Sequence, residues 1–457
     1  MHSRIHPAAA RPADDVLRAR RLLIGLYALM GVAVATWLSR LPSIRTALDL
    51  STSELGTLLL VGSIGSLAMV VFAGALTARW GSRRTLITGA VMFAVGNSLV
   101  GLGPAVGSVA VLAVGVLLAS SSYALSNVPM NLETVVIERR MGRTVVPQFH
   151  AAFSVGSVAG SLLGAAVSWA QVPVVAHFVA LSLLTLVIRI VAVPGAVLPT
   201  RSSPADSNAL TPTARGAGLR TALAAWREPR TLLIGVIVMS AALSEGSANN
   251  WLTIAVVDGF ARTEAVAAVV FGVFVGSMTA ARLLGSVLID RYGRVRVLVA
   301  SGIASFSGLM LFGLAPGLLL AMLGVAAWGL GAGLVVPIGM AAVAGDRIRM
   351  AGRVAVLSAF ASVSSIVAPP VLGLAAESLG VRHALMLVGV GMLASIALAR
   401  TVRRDQAADD GVPGDDASVL DQKPPVDRAV RPATTPLRSP VSEPVRARTS
   451  PVPVGTC

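Results

Sequence analysis

The stretch Arg282-Leu283-Leu284-Gly285-Ser286-Val287-Leu288-Ile289-Asp290-Arg291-Tyr292-Gly293-Arg294 ends a long apolar run in a charged turn. A plainer copy, Gly74-Ala75-Leu76-Thr77-Ala78-Arg79-Trp80-Gly81-Ser82-Arg83-Arg84, also closes one apolar run and opens the next. Arg79 aligns with Arg291 and Gly81 with Gly293 at one offset of 212 positions, so the chain reads as two related halves. Pro129 and Pro337, 208 positions apart in similar settings, support the repeat.

Of the 457 residues, 55% are hydrophobic and only 13% charged, with a mean hydropathy of +0.78. The apolar residues fall in runs of about 20, each long enough to cross a hydrocarbon layer of ~30 Å as a helix. The composition therefore predicts an all-α polytopic membrane protein. The net charge of +15 sits between the apolar runs with no basic face interleaved with aromatics, which argues against nucleic acid. The single cysteine, Cys457, allows no intrachain disulfide, and the single lysine, Lys423, excludes a Walker A lysine from the apolar body. No zinc-type cluster, nucleophile elbow or cofactor motif is present, so neither an enzyme nor a metal site is expected.

In chain order, residues 1–20 form a polar segment, 21–194 hold six apolar runs, and 195–230 are a Ser-, Pro- and Arg-rich linker. Six more runs occupy 231–399, the last over 381–399, and 400–457 read as a disordered tail. One alternating set of turns carries most of the arginines, among them Arg79, Arg83, Arg84, Arg139, Arg140, Arg291, Arg294 and Arg349. The other set carries only Arg40, Arg45, Arg262 and Arg382. The positive-inside rule puts the first set and both termini in the cytoplasm, which requires an even number of spans; twelve fits every run.

Twelve spans in two six-helix halves, a long central linker, and a Gly-x-x-x-Asp-Arg-x-Gly-Arg type turn in both halves resemble the major facilitator superfamily of secondary transporters. The resemblance covers about Leu22 to Ala399. The second copy keeps Asp290, Arg291, Gly293 and Arg294 but has Ser286 where the family favours glycine; the first keeps Gly74, Arg79, Gly81 and Arg83 but has Ala78 in place of the aspartate. The stretches Asn131–His150 and Glu245-Gly246-Ser247-Ala248-Asn249-Asn250-Trp251 are further similar to a poorly characterised bacterial subgroup near the fucose permeases. The resemblance implies a monomeric transporter in the plasma membrane of a bacterium. It would move a small solute (a sugar-like nutrient, metabolite or drug) by alternating access, most simply with protons.

Glu245 is the acid that the sequence places deepest, ~21 Å along its helix. A carboxylate in a span is costly unless neutral, paired or facing water, and usually marks a pathway. Its function is either proton carriage or hydrogen bonding to a polar solute; the alternative is an acid that merely pairs with Arg40 or faces the outer vestibule. Asn249, Asn250 and Trp251 follow it. The resemblance adds Trp37, Arg40, Asn127 and Asn131 as cavity candidates. It also implies that Asp290 faces the start of the fifth span, near Gln148 to His150, as a gate with Arg282 at the cytoplasmic end. Gly156, Gly160 and Gly164 form a ladder for close approach of another helix, for which the fold offers span eight with Gly272 and Gly276. Two rival readings remain: a sensor or scaffold that kept the fold, and the permease subunit of an ATP-driven system.

Overall fold

In hydrocarbon each backbone N–H and C=O must find its partner within its own segment, which leaves the helix as the natural unit for runs of this length. A computed structural model of the chain describes residues 14–198, 224–343 and 349–403, and the described elements are all helices. The first half contains α1 (Asp14–Ser39), α2 (Leu41–Ala47), α3 (Thr52–Ala105), α4 (Val109–Met141), α5 (Val146–Trp169) and α6 (Val174–Ala196). The second contains α7 (Pro229–Phe260), α8 (Glu264–Tyr292), α9 (Arg294–Leu314), α10 (Leu318–Val343), α11 (Met350–Leu379), α12 (Val381–Ala384) and α13 (Gly389–Ala397). Ten helices among the described residues are long and apolar enough to cross a membrane. The tail from residue 404, most of the linker and the first thirteen residues lie outside the described residues.

The repeat is written into the backbone. Gly81 (φ 79°, ψ 159°) and Gly293 (φ 78°, ψ 155°) adopt nearly the same conformation, in a region essentially restricted to glycine. Each reverses the chain between two apolar helices. The 54 residues of α3 would span about 80 Å if straight, and Gly81 divides them into two limbs of membrane-crossing length. The second turn has two further ties: Arg291 lies over the Tyr292 ring at 5.4 Å, and Arg294 Nη1 donates to the Ala341 carbonyl at 3.3 Å.

Three expectations need correction. The last apolar run is not one helix but α12, a 3-10 turn (Leu385–Val388), α13 and a second 3-10 turn (Ala399–Val402). The segment read as polar up to residue 20 already joins α1 at Asp14, because Val16 and Ala19 are buried in the first half's core beside Leu23 and Leu26. The glycine ladder packs against α1 rather than α8: a Cβ on Gly156 would meet the Ala28 carbonyl oxygen at 2.0 Å, and one on Gly160 the Val32 oxygen at 2.4 Å. The adjoining face of α5 meets α8, where Gly272 faces Ser161 and Gly276 faces Val158. With the contact of α3 on α11, where Gly56 and Gly373 sit against backbone carbonyls, this pairing joins the halves.

The starts of α7 and α11 are tied by Glu228. Its carboxylate accepts from Arg353 Nε at 2.7 Å, Arg349 Nη1 at 3.4 Å and Thr231 Oγ1 at 2.8 Å. The hydrogen bond from Arg353 is the main reason its carboxyl sits below the usual carboxylate range; burial is the next influence and opposes it.

A lowered carboxyl contributes stability that is present above the ordinary carboxylate range and lost as pH falls through the folded value. Glu228→Gln should therefore lower thermal stability at neutral pH by an amount equivalent to less than about 1 kcal/mol, because the group is partly solvated. Melting curves of the two proteins should converge as the medium is acidified below the carboxylate range. The backbone argument makes a second prediction. Gly156→Ala and Gly293→Ala should each cost about 1–3 kcal/mol, the first by overpacking and the second by strain. Gly74→Ala, whose new methyl group meets nothing within 4 Å, should stay within about 0.5 kcal/mol. Thermal unfolding in detergent reads both series.

Candidate functional site

Between the halves lies a cavity of about 550 Å³ walled by α1, α3, α4, α5, α7, α8 and α11. Glu245 projects into it from α7 and Arg282 from α8, and Arg282 Nη2 donates to Glu245 Oε2 at 3.0 Å. Arg282 Nε also donates to the Gly333 carbonyl of α10 at 3.3 Å. The two side chains are 27% and 33% exposed, so the pair faces the cavity rather than the protein core. Tyr123, Asn249, Asn250 and Trp37 line the same space. Four lining serines, Ser63, Ser157, Ser362 and Ser365, donate their hydroxyls to carbonyls one turn back on their own helices at 2.9–3.2 Å.

Several candidates sit elsewhere. Trp251 is 1% exposed in the apolar core, on the opposite side of α7 from the cavity lining. Asn131 Nδ2 donates to Asn127 Oδ1 at 2.6 Å, and Tyr27 donates its hydroxyl to Asn131 Oδ1 at 2.9 Å, so the two asparagines tie α4 to α1 outside the cavity wall. Arg282, expected at a helix end with the turn motif, is a cavity residue, because the helix carries it about two turns inward from Asp290. Arg189 on α6 is buried, with its guanidinium 5.2 Å over the Phe93 ring. Asp290 is exposed, and no hydrogen bond or ion pair to it occurs among the described residues. Gln148, near which it was expected, accepts from Arg20 Nε at 3.1 Å, and the exposed His150 stands edge-on to Tyr27 at 5.8 Å. Gly74, Arg79 and Arg83 are exposed around the first turn.

Arg40 marks a different structure. At the end of α1 its Nη1 pairs with Glu264 Oε2 at 3.0 Å, and its Nη2 donates to the Val172 carbonyl at 3.0 Å. Glu264 also accepts from the Ser43 amide at 2.9 Å, the Ser43 hydroxyl at 2.7 Å and the Ser168 hydroxyl at 2.8 Å. One carboxylate of the second half thus gathers four donors of the first. Arg45 pairs with Asp258, Ser53 donates to Glu377, and Thr253 donates to the Leu38 carbonyl at 3.1 Å. These cross-links gather at one end of the molecule, here called the lock end, opposite the turns at Gly81 and Gly293. Sequence reasoning misses Glu264: directly after the N-cap Thr263 it reads as an ordinary first-turn acid favoured by the helix dipole. Its one legible signal is Arg40, one of only four arginines in its set of turns, which calls for an acid partner.

The family model of the Major Facilitator Superfamily matches residues 22–344 and 234–450. The chain belongs to this superfamily. It is a multi-pass membrane protein, and its relatives carry the names of transporters rather than enzymes. It is 28% identical over 365 residues to an uncharacterized transporter, y4wD, of Sinorhizobium fredii, covering 80% of this chain and 93% of that one. It is 26% identical over 408 residues to an uncharacterized MFS-type transporter of Yersinia pestis, covering 88% and 100%. In fold it is similar to a bacterial homolog of the human lysosomal transporter Spinster in an inward-facing, unoccupied conformation (TM-score 0.66, 13% identity, 86% and 99% covered). It is also similar to the nucleoside transporter NupG (0.65, 15%, 86% and 100%) and to the E. coli fucose:proton symporter FucP (0.58, 15%, 84% and 98%).

The lock end can be tested by its energetics. Arg40→Ala leaves the Glu264 carboxylate, 10% exposed, without its guanidinium, and removing one partner of a buried pair costs about 3–5 kcal/mol. Replacing both partners, as Arg40→Met with Glu264→Leu, should recover at least half of that loss in thermal unfolding.

Proposed function

We propose that the chain is a proton-coupled secondary transporter that moves a small polar solute by alternating access across the plasma membrane of a bacterium. Counting the two limbs of α3 separately, and Val381–Val402 as one crossing, gives twelve spans with both termini in the cytoplasm. That count and the positive-inside rule make the lock end external. The observation that carries the reading is the Glu245–Arg282 pair facing a cavity between two halves that are tied together at one end.

The chemistry follows from the pair. A proton arriving on Glu245 removes the charge that holds Arg282, so both side chains become free to bind solute with Asn249 and Asn250. Loss of the proton restores the pair and expels what lay between them. Occupation of the cavity is thereby linked to protonation through one hydrogen bond, with no second carboxylate needed. On this reading Glu264 holds the external side, while Asp290, with no hydrogen bond or ion pair among the described residues, leaves the cytoplasmic side open. In the opposite state the Glu264 lock opens, and Asp290, with Arg79, Arg83, Arg291, Arg294 and the turn glycines, closes the cytoplasmic side near His150. A monomer suffices for this cycle. The polar groups set in the mainly apolar lining support a hydroxyl- or amide-bearing solute, and two solved proteins of this fold are named for a nucleoside and for fucose with a proton.

Proteoliposomes containing a pH-sensitive dye, challenged with a panel of sugars, nucleosides, amphipathic drugs and small metabolites, test the reading. At least one solute should produce a pH change with native protein. Glu245→Gln should abolish the pH change by tenfold or more while retaining solute binding, and Arg282→Gln should weaken that binding. Solute flux that continues without any pH change in the native protein would remove proton coupling. Binding with no flux would favour a sensor.

A further inference from the structure

Among the described residues that line the central cavity, Glu245 and Arg282 are the only ones with charged side chains. They cancel while joined. Glu245 has no other described hydrogen-bond partner, and when the pair opens Arg282 keeps only the Gly333 carbonyl, on its Nε. The walls supplied by α1, α3 and α11 bring no acid or base to the lining. On α5, His150 lies within electrostatic reach of Arg282, and on α4, Tyr123 lies within reach of Glu245. Neither supplies a negative charge at physiological pH, and a guanidinium stays charged whatever surrounds it. A proton on Glu245 therefore leaves the cavity with one unanswered positive charge.

We infer that the solute is a small organic monocarboxylate, held by Arg282 once Glu245 is protonated. The inference narrows the polar solute proposed above and rests on that proton-coupled reading. During alternating access the loaded cavity is shut off from water on both sides, and a lone charge is costly there unless an opposite charge is shut in with it. One carboxylate supplies that charge, and its two oxygens match the fork of a guanidinium. One proton and one anion then cross together. After both leave, the empty carrier returns with Glu245 ionised and rejoined to Arg282, so neither passage moves net charge. A neutral solute would leave the loaded passage with an unanswered cation. A phosphate ester, with close to two negative charges at neutral pH, would leave an unanswered anion. The rings of Trp37, Phe93, Phe153 and Phe271 in the lining favour a guest with a carbon skeleton over a bare ion such as chloride.

The full chain in detergent, in low-chloride buffer at neutral pH, tests the inference by equilibrium dialysis against radiolabelled benzoate, lactate and gluconate and against the matching amides. Glu245→Gln, which mimics the protonated acid, should bind at least one carboxylate about tenfold or more tightly than native protein does, because native protein is seldom in the competent state there. The amides should gain nothing. Adding Arg282→Gln should remove the gain. Should that double variant not fold, Arg282→Lys in its place keeps the charge without the fork and should reduce the gain. Should Glu245→Gln not fold, native protein moved from neutral to mildly acid medium should show the same gain for carboxylates alone. No preference for any carboxylate over its amide, or a gain that survives Arg282→Gln, would overturn the inference. Proteoliposomes separate its failure from that of proton coupling. Uptake of a bound carboxylate should follow a pH gradient and change by less than about twofold with an imposed membrane potential, which acts only on net charge that crosses. A neutral sugar carried with a proton and driven by that potential would keep the coupling and overturn the carboxylate. Carboxylate uptake that moves no proton would remove the coupling and leave Arg282 as the anion's site.

Discussion

A charge carried into a hydrocarbon layer must bring its partner with it, and the architecture described here follows from where those partners sit. The apolar helices need little beyond their own backbone bonds to exist. What distinguishes one arrangement of them from another is a small number of paired charges. Arg40 with Glu264 joins the two halves. Glu245 with Arg282 stays within the second half and faces the space between the halves. Glu228 with Arg349 and Arg353 fastens the starts of two helices of the second half.

These pairs differ in what releasing them would accomplish. Arg40 and Glu264 are almost wholly enclosed, with hydroxyl and amide donors completing the carboxylate's shell, so separating them exposes two charges and three further donors at once. That suits an all-or-none contact between rigid bodies. Glu245 and Arg282 are joined by one described bond and reach the cavity, so the pair can open without moving a helix. Small residues set the remaining terms. Gly56 and Gly373 bring α3 and α11 into backbone contact, and Gly156 and Gly160 do the same for α5 and α1.

The parts legible in the sequence are those governed by local rules. Apolar run length announces the helices, and Gly81 and Gly293 announce the repeat because their φ near 80° excludes side chains whatever surrounds them. Glu245 stands out because an acid deep in an apolar run is costly anywhere. Partners are a different matter, because they depend on helix rotation. Gly156, Gly160 and Gly164 declare a close contact without saying whether α1 or α8 supplies it. Arg282 reads as part of the turn motif until the helix is wound and its side chain enters the cavity. Glu264 is concealed because a first-turn acid already has a sufficient local reason to be there. Trp251 misleads for a related reason: it shares a sequence neighbourhood with Asn250 but points into the core.

The cavity serines carry a polarity of their own. Since Ser63, Ser157, Ser362 and Ser365 have each committed the hydroxyl proton to a carbonyl of the same helix, what they present inward is a lone pair. Elsewhere in the lining the amides of Asn249 and Asn250, the guanidinium of Arg282 and the hydroxyls of Ser66, Ser120 and Ser154 can give protons. A guest lying against those four serines would be sorted by the protons it can give, and one turned toward Arg282 by the lone pairs it can give. A molecule with both, disposed on opposite sides, meets complementary surfaces in one orientation and mismatched ones in the reverse.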